Sequence, residues 1–167
     1  MKNRAVSTHK KAVVALFDGE PEQGYVNPQG FGREETVELL TRGGEHRQIP
    51  EKRVKAVYFV KEFIDPFVPD RKTFLSRPKL DGLWVKLRFR DDDEMEGLVP
   101  NDLLGLLDKG VRLTPPDLHG NTLWAFIPKT ALAEMKVLGV VGVARRAPRE
   151  KAATAKAAEA QPKLFGE

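Results

Sequence analysis

Three blocks of sequence recur in the same order in the two halves of this chain. Val14-Ala15-Leu16-Phe17-Asp18-Gly19, then Gly24-Tyr25-Val26, is answered 73 residues later by Leu87-Arg88-Phe89-Arg90-Asp91-Asp92 and Gly97-Leu98-Val99. Val37-Glu38-Leu39 is answered by Val111-Arg112-Leu113 at an offset of 74. Ile49-Pro50, Val54, Val57 and Val60 are answered by Ile127-Pro128, Leu132, Met135 and Leu138 at an offset of 78. The offset grows only between blocks, as loop insertions make it grow. A duplicated unit of roughly 60–70 residues is near the lower size limit for a self-sufficient core.

Each copy is written in strands. Val85, Leu87 and Phe89 alternate with Lys86, Arg88 and Arg90, a period of two with one wet face. Ala12, Val14 and Leu16 form the matching inner set of the first copy. Asp18-Gly19 marks a tight turn. Gly24 and Gly97 fall inside strands, where glycine marks a sharp bend or a bulge. Pro50 and Pro128 each follow an isoleucine at a strand end and start a turn into a final strand. About five short strands per copy, one of them bent, predict a small barrel.

Val14-x-Leu16-x-Asp18-Gly19-x4-Gly24-x-Val26 resembles the first motif of Sm-like small barrels, a pattern SH3-like barrels largely share. The two-copy arrangement is similar to an uncharacterised bacterial family with tandem barrels. The resemblance covers about 12–62 and 83–142. It implies an all-β fold of two tandem small antiparallel β-barrels, Sm/SH3-like, with a connector and flexible basic termini. The base-reading loops of the RNA-binding Sm proteins are not matched: Asn27-Pro28-Gln29-Gly30-Phe31 and Gln48-Ile49-Pro50 stand in their places. Ring assembly and uridine binding are therefore not implied.

The expected organisation is a basic arm over 1–11, barrels over 12–62 and 83–144, a Phe/Pro-rich connector over 63–82 and a disordered or weakly helical tail over 145–167. The connector carries Phe63, Phe67 and Phe74 among three prolines. Three phenylalanines suit a segment docked on the barrels; the alternative is an exposed partner-binding patch.

Charge is unevenly spread. The net charge is +4 and the pI about 9.3, which invites a nucleic-acid reading. Yet +4 sits in residues 1–11 and +3 in residues 145–167, leaving −3 on the body between them. The chain has no cysteine, which excludes disulfides and thiolate chemistry. No apolar run approaches the roughly 20 residues a membrane span needs. The short apolar stretch after the basic N-terminus lacks a small-residue cleavage site. A cytoplasmic protein without a membrane segment is expected.

Candidate sites follow from residue chemistry. Lys86, Arg88 and Arg90 on one strand face, with Arg71 and Lys72 upstream and Lys10 and Lys11 in the arm, form a basic set that could track a phosphate backbone. No aromatic residue interleaves on that face, and a wet face paired with nearby acids is the competing reading. Asp91-Asp92-Asp93-Glu94-Met95-Glu96 could hold a divalent cation but lacks EF-hand spacing, and a solvated turn is its alternative. His9, His46 and His119 are without metal-ligand spacing. No catalytic triad, P-loop or dinucleotide fingerprint is present, so no catalytic residue, metal or cofactor is expected.

The tail ends Gln161-Pro162-Lys163-Leu164-Phe165-Gly166-Glu167. Gln161, Leu164 and Phe165 resemble the short peptide by which bacterial DNA-metabolism proteins hold the sliding clamp, with Pro162 a departure. The expected function is a non-enzymatic binding or adaptor module. Three routes stay open: nucleic acid through the basic residues, a protein partner in bacterial signalling through a sheet edge or the Phe-rich connector, and clamp tethering through the tail.

Overall fold

Ten strands form where the two copies place their alternating apolar residues. The computed structural model describes residues 8–31, 34–106 and 108–142. The first copy supplies β1 (Lys10–Leu16), β2 (Glu22–Val26), β3 (Thr36–Thr41), β4 (His46–Pro50) and β5 (Val54–Val60). The second supplies β6 (Gly82–Phe89), β7 (Glu94–Val99), β8 (Gly110–Leu113), β9 (Thr122–Pro128) and β10 (Leu132–Val141). The one α-helix among the described residues is a single turn, α1 (Leu103–Leu106). The protein is all-β, and every strand pair in its two sheets is antiparallel. No helix among the described residues is long and apolar enough to cross a membrane.

The duplication extends to hydrogen bonding. One sheet runs β4-β3-β2-β1-β5-β9-β8 and a second runs β10-β6-β7. A bridge between Leu98 and Thr114 connects β7 to the end of β8. It is the counterpart, residue for residue, of the Tyr25–Leu40 pair between β2 and β3. The order β5-β1-β2-β3-β4 is thus repeated as β10-β6-β7-β8-β9.

Local sequence explains the shared details. A 3-10 turn precedes each final strand, at Glu51–Arg53 and Lys129–Ala131, and Pro50 and Pro128 stand at their starts. Proline's fixed φ and missing N–H suit the end of a strand that gives way to a turn. Gly19 turns the β1–β2 hairpin at φ 113°. A Cβ on Gly24 would overlap the Leu40 carbonyl oxygen, and one on Gly97 would overlap the Leu113 side chain. Both glycines therefore let β2 and β7 lie close against the next strand of their own copy.

Two closed barrels were expected, and the ladders do not close. The physical reason lies at β5: its outer edge is taken by β9 of the other copy. The copies are joined edge to edge and share two walls. Val54, Val57 and Phe59 of β5 face the first core, with Ala12, Val14, Val37, Leu39 and Ile49. Ala56 and Tyr58 of the same strand face the second core, with Val85, Leu87, Phe89, Leu113 and Ile127. Strand β9 does the reverse, giving Ala125 and Ile127 to its own core and Trp124 and Phe126 to the first.

Candidate functional site

Two of the three cations on the basic strand face are paired with carboxylates. Lys86 Nζ lies 2.8 Å from Glu94, and that hydrogen bond raises its pKa above the ordinary 10.5. Arg88 pairs with Asp92 at 3.2 Å and with Glu134 at 3.5 Å. Arg90 lies over the Phe17 ring, 4.0 Å from its centre, and donates to the Lys52 carbonyl oxygen. Lys72 Nζ sits 2.7 Å from Asp93. Arg71 and Lys10 make no ion pair among the described residues. Lys10 and Lys11 open β1 in the larger sheet, whereas Lys86, Arg88 and the neighbouring Arg90 belong to β6 and its turn. Lys11 pairs with Glu62 at 3.1 Å.

The acidic hairpin grips lysines. Lys55 Nζ bridges Asp91 at 2.7 Å and Asp93 at 2.9 Å, pinning β5 of the first copy to the β6–β7 turn of the second. Burial would raise the pKa of both carboxyls. Hydrogen bonds from Lys55, and at Asp93 also from Lys72, outweigh it and hold both below the ordinary 3.8. Among the described residues no three His, Asp or Glu side chains are grouped to hold a metal ion.

The connector is docked, and each of its phenylalanines meets an aromatic ring on a different strand. Phe63 meets Tyr25 of β2 edge-on at 5.5 Å, Phe67 meets Tyr58 of β5 at 5.3 Å, and Phe74 meets Trp84 of β6 edge-on at 6.0 Å. Polar bonds reinforce the track. Asp70 accepts from the Thr122 amide at 2.8 Å, and the Lys72 carbonyl accepts from the Glu96 amide at 2.7 Å. The three rings are thereby committed to the protein's own body.

A cleft of about 590 Å³ opens where the β2–β3 loop faces β8 and β9. Its aromatic rings are already engaged. Phe31 stacks on Phe126 at 4.1 Å, and Trp124 is held by Phe59 at 4.1 Å and by the Arg112 guanidinium at 4.1 Å. The cleft lies at the junction between the copies, and these rings pack against the protein's own side chains.

Strand edges remain open among the described residues, at the outer sides of the short β4 and the long β10. β10 is ten residues long, and its outer side has no partner strand among the described residues. It exposes Val137 (55%), Leu138 (45%) and Val140 (62%). Its counterpart β5 uses the same side to pair with β9. A signal for these exposed residues was present in the sequence. Val137, Leu138, Val140 and Val141 put apolar residues on both faces, as β5 does, and that pattern marks a strand whose two faces are both to be covered. Gln161, Leu164 and Phe165 lie outside the described residues.

The fold and its open edge define an all-β protein of two edge-joined five-strand repeats. By sequence, residues 8–139 match the model of a family of unknown function, DUF6982, and the chain belongs to that family. No curated protein and no solved structure matches the chain.

Proposed function

We propose that the protein is a non-enzymatic docking module that takes an extended segment of a protein partner on the outer edge of β10. One observation carries this reading: the equivalent edge of β5 already holds an added strand, β9, in antiparallel register from Val57–Phe126 to Val60–Thr122. β10 presents the same edge with three exposed apolar side chains and, among the described residues, no strand on it. Strand addition uses backbone hydrogen bonds for affinity and alternate side chains for selection. The repeated strand order, the 3-10 turn before each last strand and the glycine at the close approach of the second strand to the third support taking each repeat as an open Sm/SH3-like small barrel, a kind of module used for binding. The nucleic-acid route fits less well, because Lys86, Arg88 and Lys72 each hold a carboxylate.

The test is a labelled synthetic peptide with the sequence of residues 121–128, titrated into the full chain by fluorescence anisotropy. Binding is expected, with new hydrogen-exchange protection over residues 133–139. A backbone N-methylated version, unable to form the ladder, is expected not to bind. Equal binding of both peptides, or binding without protection on β10, would refute the reading.

A further inference from the structure

Which partner strand suits this edge is written in the charges of its wet face. On that face β10, β6 and β7 form cross-strand rows. Glu134, Arg88 and Glu94 make one row, and the signs alternate. Lys136, Lys86 and Glu96 make the next, and it begins with two lysines. Lys86 is satisfied diagonally by Glu94 at 2.8 Å. Among the described residues Lys136 has only Glu134 on its own strand, at 3.4 Å, and Glu134 also holds Arg88. The Lys136 side chain is 63% exposed. A strand added outside β10 would set its own side chain directly opposite that ammonium.

The internal pairing supplies the rest of the pattern. Val57, Tyr58 and Phe59 of β5 face Phe126, Ala125 and Trp124 of β9. At the repeat offset, the β5 positions become Met135, Lys136 and Val137 of β10. The aromatic partners at either end therefore map onto Met135 and Val137, and the small residue between them maps onto Lys136. We infer that β10 selects an extended, antiparallel protein segment with two large apolar residues flanking an acidic one, the acid opposite Lys136. This rests on the docking reading above and specifies its partner.

The same register argues against β4 of a second copy as occupant. The counterpart of β9 is β4, which offers His46, Arg47 and Gln48 in place of Trp124, Ala125 and Phe126. Head-to-tail pairing would set Arg47 opposite Lys136, and like charges directly opposite are destabilising. β4 would also put two polar side chains where the internal pair stacks aromatic rings.

Three peptides decide the matter: residues 121–128 as they stand, with Ala125→Glu, and with Ala125→Lys, each titrated into the full chain and into its Lys136→Glu variant. The glutamate peptide is expected to bind the wild type about fivefold tighter than the lysine peptide, the range of a cross-strand ion pair. High salt should shrink the gap, and Lys136→Glu should invert the order. Binding of all three with no charge preference, or the same order on Lys136→Glu, overturns the inference while leaving strand docking standing. Binding of none overturns both. Concentration-dependent association of the wild-type chain in sedimentation, strengthened by Lys136→Glu, would give the edge to a second copy and also overturn it.

Discussion

Trp124 lies stacked on Phe59, ring centres 4.1 Å apart and planes within 18°, although the two residues belong to different copies of the repeat. They also face each other across the β5–β9 ladder. Phe59 is fully buried in the first core, so part of that core is built by the second copy. Neither copy has a complete core alone.

Trp124→Ala should therefore destabilise the whole protein by about 3 kcal/mol, as large aromatic truncations do. Urea unfolding followed by fluorescence and by circular dichroism should stay a single coincident transition at a lower midpoint. Two separated transitions in the variant would show that the copies unfold independently.

The buried glycines predict a sharp contrast with an open one. Gly97→Ala would drive a methyl into Leu113 and should cost about 1–3 kcal/mol, the usual penalty of overpacking. Gly139 lies in β10, and a methyl placed there would meet nothing within 4 Å. Gly139→Ala should change stability by less than about 0.5 kcal/mol. Thermal melts of the two variants side by side check this, and equal losses would contradict the packing described.

The Lys55 bridge gives a pH signature. Asp91 and Asp93 have folded pKa values below 3.8. Their contribution is complete above that value and is lost as pH falls through the folded ones. Lys55 is shifted the other way: burial lowers its pKa, but its bonds to Asp91 and Asp93 outweigh burial and raise it above 10.5. Its contribution is complete below 10.5 and fades as pH rises through the folded value. Lys55→Met should cost about 1 kcal/mol or less at neutral pH, since the Asp91 side chain is 39% exposed and solvent screens the pair. The difference from wild type should shrink in acid and again in strong alkali. Urea midpoints across pH measure it, and a flat difference would remove the bridge as its cause.

Tyr58 should ionise late. Burial is the main cause, with the charges of Asp93 and Asp70 adding to it, and together they push its pKa up to about 12. A folded pKa above the free value of 10.0 means stability complete below pH 10.0 and falling as pH climbs toward 12. Absorbance titration of the phenolate should show a late phase that Tyr58→Phe abolishes. Persistence of that phase in the variant would assign it elsewhere.

Much of this fold is legible in the residues. The repeated blocks announce ten strands, Asp18-Gly19 the first hairpin turn, and Pro50 and Pro128 the turns before the last strand of each copy. Gly24 and Gly97 stand out inside their strands, but where a bend or bulge was expected the register runs unbroken and the next strand comes close instead. The three connector phenylalanines signal docking, and each has a ring to meet. These features are legible because turn chemistry, side-chain alternation and glycine's missing Cβ act over a few neighbouring residues.

The candidate site is less so. Lys86, Arg88 and Arg90 read as a basic strip along one strand, yet Glu134, a partner of Arg88, comes from a strand 46 residues further on. The −3 charge of the body hints at such pairing without locating it.

By itself, the sequence determined that this protein is all-β, duplicated, and composed of strands in a given order. Only the tertiary structure decided that β9 lies against β5, which leaves the sheets open and β10 without a neighbouring strand among the described residues. β5 and β10 both carry apolar residues on two faces, yet that pattern does not state which strand lies at the edge of either. A chain's own alternation states which faces must leave water; which strand pairs along an edge depends on where the rest of the chain arrives.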